Sequence, residues 1–413
     1  MNKSKFQVVL IDRNNYHQFP PLFYQVASAG LESTAISFPY RKILQNHKNF
    51  YFRLAEVQSI DMAGNKIQTS IGELSYDYLV LAAGTTTNFF GNQHIIDLAF
   101  PMKGVEEAAL LRNGLLSNFE KAIICEDPVR KQSLLNVVVV GGGPSGVEIA
   151  GAISEMKRFI MHKDYPDLGA YKLNIYLVEG EPKVLANMSP NASRHAEEYL
   201  RKMGVEVILG KRVTDYDGET VTVNDGTTIR ACTLVWVSGV TANTFENTDK
   251  NLLGKGNRFL VDEYNRVQGT TNVYAIGDIS LCLTNPDYPK GHPQLAQVAI
   301  QQGKLVAKNL KRQLEGKSPE AFHYKDLGTL ATIGRNKAVA DLGKIKLQGL
   351  IAWMIWLFVH LRSLLGVKNK FMVLLDWISN YVTYDKGERF IMYVPNEKIK
   401  KKNRKVQGSK FKP

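Results

Sequence analysis

Cysteine is the scarcest informative residue. Cys125, Cys232 and Cys282 are the only three in 413 residues, and they lie far apart. They offer no CxxC pair, no metal-type cluster and no even set for a disulfide framework. A redox-active cysteine pair and a disulfide-stapled scaffold are therefore excluded, no metal site is expected, and a reducing, cytoplasmic setting is the natural one. A basic-then-apolar leader is also missing: the chain runs from Met1 directly into Phe6-Gln-Val-Val-Leu-Ile11. A spanning helix needs about 20 largely apolar residues; the run Leu350–Val359 has ten, and His360 and Arg362 follow it. Acidic residues are absent from Lys398–Pro413, where eight Lys or Arg account for most of the formal charge of +13. Charge concentrated in one tail is not the domain-wide basic patch of a nucleic-acid binder. It fits either a solvated tail or a polybasic segment on anionic lipid.

What is present divides into four sections. Residues 1–104 open on a β-type run and end in turn-rich sequence. Residues 105–242 carry an apolar strand, a glycine turn, a helix and a second strand, Leu173–Val178, which is a βαβ pattern. Residues 243–325 hold a short strand, Val273–Ile276, and an amphipathic helix near Leu295–Leu314. Residues 326–413 are strand-like, then strongly apolar, then basic. The fold class is α/β.

The most specific motif is Val137-Val-Val-Val-Gly141-Gly-Gly143-Pro-Ser145-Gly146-Val-Glu148. A buried strand enters GxGxxG and a helix leaves it. Gly141 makes the tight turn, Gly143 lets the backbone approach a pyrophosphate, and Gly146 lets the helix pack against the strand. The helix N-terminus then faces the phosphates with free N–H groups. The second strand ends at Glu179, whose carboxylate can bind ribose hydroxyls and repels a 2′-phosphate, so NADH is expected over NADPH. The gap to Glu179 is longer than usual, and an inserted segment around Met156–Tyr171 accounts for it.

Three further pieces imply a second nucleotide. Phe6–Asp12 is a strand ending in an acid, as in the ribose-binding half of a Rossmann unit. Tyr78-Leu-Val-Leu-Ala-Ala-Gly84-Thr85 is a buried strand closing on a small-residue turn. Thr271-Asn-Val-Tyr-Ala-Ile-Gly277-Asp278 ends in Gly-Asp, where Asp278 either binds a ribityl hydroxyl or caps the next helix.

In this order around Gly141–Gly146, the pieces resemble the type II NADH dehydrogenases, the non-proton-pumping NADH:quinone oxidoreductases of the two-dinucleotide-binding flavoprotein superfamily. The resemblance runs from Gln7 to about Tyr393. It includes Asn15-Tyr-His-Gln-Phe-Pro-Pro-Leu-Phe-Tyr-Gln-Val-Ala27, Leu295-Ala-Gln297-Val-Ala-Ile-Gln301-Gln-Gly303 and Ala331-Thr-Ile-Gly-Arg335. It implies non-covalent FAD, reduced by NADH and reoxidised by a quinone. By the same resemblance Asp12 binds the FAD ribose, and Gly84, Gly277 and Asp278 contact the flavin nucleotide. Gly143, Ser145, Glu148 and Glu179 hold NADH, and Gly239 lies beside the nicotinamide. Gln297 and Gln301, one helical turn apart, line the quinone pocket. Glu148 is also the candidate for tuning or relaying a proton. The implied domains are an FAD-binding domain (1–104 and 243–325), an NADH-binding domain (105–242) and a membrane-association region (326–413).

One departure stands out. In the family a first strand and a first GxGxxG precede the strand that ends in Asp12; here six residues do, where roughly 25 are needed. The first Rossmann domain is therefore expected to lack a central strand and its phosphate loop. Either the start codon is called too late, or the alternative holds, that of a catalytically impaired remnant binding only nucleotide or membrane.

Trp353, Trp356 and Trp377 cluster in the apolar segment, as at a membrane interface. With the basic tail, they predict in-plane amphipathic helices over 350–413 on the cytoplasmic face of the inner or cell membrane. The competing readings of that segment are a buried core helix and a homodimer contact.

Overall fold

The computed structural model describes residues 5–169 and 171–392, and these form two compact units. The basic tail lies outside the described residues. One unit combines Met1–His17, Phe38–Thr86 and Val240–Leu327; the other combines Gln18–Ser37, Thr87–Gly239 and Gly328–Pro413.

In the first unit Val8–Asp12 pairs in parallel with Phe50–Leu54. Leu79–Leu81 pairs in parallel with Val273–Ala275, and Phe259–Val261 with Ser280–Cys282. These are separate two-stranded pieces rather than one sheet. A three-stranded antiparallel sheet (Val57–Asp61, Lys66–Thr69, Gly72–Ser75) adjoins them in sequence. Leu81, Phe259, Val261, Val273, Ala275, Ile279 and Cys282 make the core, and the helix Ala296–Leu314 follows.

The second unit is built on a five-stranded parallel sheet. Its order is Phe100–Pro101, Thr233–Trp236, Asn136–Val140, Asn174–Glu179, Val205–Leu209. Every residue of the central strand Asn136–Val140 is buried, as a continuous valine run predicts for a strand covered on both faces. The helix Pro144–Phe159 leaves this strand with Gly143 at its N-cap and proline at its first position, where the missing N–H costs nothing. A short helix, Met161–Asp164, and a 3-10 turn, Pro166–Leu168, fill the predicted insertion.

The C-terminal part is an antiparallel sheet (Thr329–Gly334, Lys337–Leu342, Ile345–Gln348) followed by two helices, Gly349–Ser363 and Val367–Thr383. Its first strand lies directly on the Pro144–Phe159 helix at Gly151. A Cβ there would fall 1.7 Å from the carbonyl oxygen of Ile333. A helix-interior glycine, otherwise unfavourable, is what lets the two backbones meet.

Candidate functional site

The three glycines of the loop play three different geometric parts. Gly141 has φ +112, a conformation only glycine adopts readily, and a Cβ there would sit 2.8 Å from the Val237 oxygen. At Gly146 a Cβ would lie 1.7 Å from the Gly141 oxygen, so helix and turn are in backbone contact. At Gly143 a Cβ would meet nothing within 4 Å; it faces open space at the helix N-terminus, where a pyrophosphate can approach. Gly143 and Ser145 are exposed while Gly141 and Gly146 are buried. Glu179 is fixed against the loop: its carboxylate accepts the Gly142 N–H, and its other oxygen accepts the Glu181 N–H at 2.7 Å. Gly239, with φ +89, is covered by the ring of Phe90, whose Cζ would lie 3.3 Å from an added Cβ. Phe90 is 68% exposed, an aromatic face that sequence reasoning did not single out.

The residues assigned to FAD lie in the first unit. Asp12 ends its strand with one carboxylate oxygen accepting the Asn14 N–H at 2.8 Å and the other the Tyr40 hydroxyl at 3.1 Å. Gly84 has φ +65 and open space where a side chain would stand. Gly277, φ +70, begins a 3-10 turn in which Asp278 accepts the Thr85 hydroxyl at 3.2 Å. The N-cap of the next long helix, Ala296–Leu314, is Leu295 and not Asp278. An acid at a strand end and a glycine turn with open space at Gly84 fit a flavin nucleotide; Gly277 is buried, and a Cβ there would stand 3.0 Å from Ala299 Cβ.

Gln297 and Gln301 share one helix face, as their spacing requires, but their amides hold the chain just beyond. Gln297 accepts the Leu327 N–H at 2.9 Å. Gln301 accepts the Lys325 N–H and donates to the Lys325 oxygen, both at 2.9 Å. Next to them is a residue that the spacing argument passed over. Gln302 is buried and accepts the Gly277 N–H at 2.6 Å, tying the helix to the Gly-Asp turn.

Glu148 stands apart from the exposed loop. It is 9% exposed and lines a cavity in the second unit with Tyr24, Glu155, Trp353, Trp356, Trp377 and Lys386. Burial pushes its carboxyl up to about 8, opposed by the Thr332 backbone and the Trp356 indole. The indole Nε1 itself has no partner within hydrogen-bonding distance, so it acts on Glu148 from beyond a direct bond. At neutral pH Glu148 is therefore an uncharged acid with a proton to give. Lys386, 15% exposed, reaches in from the C-terminal segment: its Nζ lies 3.9 Å from Glu155 and donates to Ser28 Oγ at 3.3 Å. Burial lowers its pKa, and Glu155 counters this.

Over 407 residues the chain is 35% identical to the type II NADH:quinone oxidoreductase Ndh of Mycobacterium tuberculosis, covering 94% of this chain and 86% of that protein. The chain belongs to the type II NADH:quinone oxidoreductases. The family described as pyridine nucleotide-disulphide oxidoreductase matches residues 1–303, and the NDH2 C-terminal domain matches residues 327–383. The type II NADH:quinone oxidoreductase of Staphylococcus aureus is 30% identical over 352 residues, 82% of this chain and 83% of that protein. The mitochondrial internal alternative NAD(P)H-ubiquinone oxidoreductase A1 of Arabidopsis thaliana is 30% identical over 92% of this chain and 81% of its own length. The fold matches that of Plasmodium falciparum NDH2 in complex with NADH, with a TM-score of 0.86 at 23% identity over 95% of this chain and 96% of that one.

For a type II NADH:quinone oxidoreductase, Tyr24, Glu155 and Lys386 are the cavity residues assigned no role from the sequence, while Trp356 was expected at a membrane interface and not beside Glu148. Tyr24 was visible as part of the Asn15–Ala27 motif. Lys386 carried no local signal, because its burial depends on helices far from it in sequence.

Proposed function

We propose that the two substrates of this oxidoreductase are served by one helix, Pro144–Phe159. The chain oxidises NADH through FAD and reduces a quinone, without proton pumping. NADH docks at the N-terminal end of the helix, on Gly141, Gly143, Ser145 and Gly146, with Glu179 at its ribose and Gly239 beside its nicotinamide. Asp12, Gly84, Gly277 and Asp278 would hold FAD, which would supply the hydride acceptor and the onward route for two electrons. In total NADH, one proton and a quinone become NAD and a quinol. Glu148 supplies that proton and takes another from solvent. Gln297 and Gln301 serve the quinone side by clamping residues 325–327.

The observation that carries this reading is the buried Glu148, neutral at pH 7, on the helix that begins at the glycine loop. An electron acceptor that needs protons is best met by an acid that still holds one. The tryptophans around Glu148 belong to the two C-terminal helices, whose outer faces are apolar. Leu350, Ile351, Met354 and Phe358 on the first helix, and Phe371, Leu375, Ile378 and Val382 on the second, are between 45% and 70% exposed. Such stripes, at spacings of about one helical turn, suit the plane of a bilayer. Among the described residues no helix is long and apolar enough to cross a membrane. A quinone dissolved in the bilayer could then enter beside these helices. We assign the cytoplasmic face, which the unpaired cysteines suit. A second copy of the chain is the other cover for the same stripes. The likeness to working enzymes over nearly the whole chain does not favour the impaired remnant.

The test separates the half-reactions. In Glu148→Gln, NADH should bleach the flavin at the wild-type rate under anaerobic conditions, and reoxidation by quinone should slow. Equal reoxidation rates would remove Glu148 from the mechanism.

A further inference from the structure

Tyr24 lines the same cavity as Glu148, and its hydrogen bonds can be assigned without ambiguity. The chain of contacts starts on the C-terminal helix Val367–Thr383. The indole of Trp377 has one polar atom, Nε1, and it can only donate. It lies 2.8 Å from Gln25 Oε1. Which end of a glutamine amide is oxygen is normally a matter of inference; here the donor-only indole fixes it. Gln25 Nε2 then points to the Tyr24 hydroxyl at 2.7 Å and must donate, since an amide nitrogen accepts nothing. The Tyr24 oxygen is therefore an acceptor in that bond, and its own proton is unspent.

Among the described residues no acceptor takes it: the one hydrogen bond of the Tyr24 hydroxyl there is the one from Gln25. The residue is 9% exposed, and its ring lies edge-on to Trp356 with centroids 6.1 Å apart, so bulk water does not readily satisfy it. A buried donor left open beside an acid and the indoles of Trp353, Trp356 and Trp377 calls for a ligand that is flat, apolar and equipped with an acceptor oxygen.

We infer that Tyr24 donates a hydrogen bond to a carbonyl oxygen of the quinone in this cavity, held in its donor orientation by Gln25 and Trp377. This rests on the reading above that the quinone reaches the Glu148 cavity. The division of labour follows from chemistry. Burial and the nearby carboxyls of Glu148 and Glu155 hold the Tyr24 phenol well above its ordinary range, so it keeps its proton and acts by orienting and polarising the carbonyl. Glu148 is the group that gives a proton up.

The experiment uses the FAD-loaded enzyme and compares Tyr24→Phe, Trp377→Phe and Glu148→Gln. Tyr24→Phe should raise the quinone KM by about two- to tenfold, the range of one hydrogen bond, and leave flavin reduction by NADH unchanged. Trp377→Phe frees the Gln25 amide to turn over and should raise the quinone KM by a smaller factor. A quinone KM that is unchanged in Tyr24→Phe overturns the assignment. If Tyr24→Phe fails to retain flavin, Trp377→Phe decides, and an unchanged KM there overturns it equally. Glu148→Gln tells the two ideas apart. Slowed quinone reduction in Glu148→Gln with a normal KM in Tyr24→Phe removes Tyr24 alone; no effect in either variant removes the quinone from this cavity altogether.

Discussion

The backbone N–H of Gly142 donates to the carboxylate of Glu179, so the acid at the strand end and the glycine loop form one piece. A Cβ on Gly142 would stand 2.9 Å from Glu179 Cγ, which shows how closely the two are fitted. Glu179→Gln keeps an acceptor oxygen for the Gly142 N–H, gives up the one that takes the Glu181 N–H, and discards the charge. The loop should keep its shape while the repulsion of a 2′-phosphate disappears. The ratio of kcat/KM for NADH over NADPH is expected to fall by about tenfold, or roughly 1.4 kcal/mol. Steady-state rates with both nucleotides check this; an unchanged ratio would place discrimination elsewhere.

Gly143 and Gly146 make a contrasting pair. Gly146→Ala forces a methyl to within 1.7 Å of the Gly141 oxygen and should cost about 1–3 kcal/mol of stability, as overpacking does. Gly143→Ala meets no protein atom within 4 Å and should fold within about 0.5 kcal/mol of wild type, yet raise the NADH KM because the methyl stands where phosphate must come. Urea unfolding and NADH kinetics on both variants separate the packing glycine from the ligand glycine.

Glu148 makes stability depend on pH in a definite direction. Its carboxyl is raised from 4.5 to about 8 in the folded protein. Folding therefore retains a proton that the unfolded chain releases. The contribution is fully present below about pH 4.5, declines as pH rises, and is gone once pH passes about 8. Glu148→Gln, which cannot ionise, should match wild type near pH 4.5 and unfold at higher urea than wild type at pH 9. Quinone reduction by wild type should also fall as pH rises through about 8, and that limb should vanish in Glu148→Gln. Denaturation at pH 5, 7 and 9, with a pH–rate profile, tests both.

What could be read from the sequence was what is decided locally. The valine run, the GxGxxG spacing and the helix after it depend on neighbours within one βαβ unit, and the structure follows them from Asn136 to Phe159. The burial of Glu148 could not be read, because it is made by Tyr24, Thr332 and the helices around Trp356 and Trp377, all remote in sequence. Gln297 and Gln301 show the same limit. A period of four put them on one face, but their partners lie 30 and 24 residues further on, and no periodicity reports that. Gly151 is the clearest case. A lone glycine inside a helix carries no message until the Ile333 carbonyl is found against it.

The apolar stripe of the first C-terminal helix can be tested without breaking the fold. Its inner face is buried at Ala352 and Trp356, while Leu350, Ile351 and Phe358 are 52%, 62% and 67% exposed. Charges at the exposed positions meet water in the free protein and should leave the cavity intact. On a membrane each buried aliphatic or aromatic side chain contributes about 1.5–3 kcal/mol. Replacing Ile351 and Phe358 by Asp should therefore weaken vesicle binding by roughly a hundredfold or more. The same variant should reduce a short-chain, water-soluble quinone at the wild-type rate and lose activity only with a long-chain quinone in liposomes. Co-sedimentation with vesicles of mixed anionic and neutral lipid measures the first effect. If binding persists after these changes and also after removal of residues 350–413, the membrane contact lies on another face. If vesicle binding is unchanged while a dimer in solution falls apart, the stripe is covered by a second copy of the chain and not by lipid.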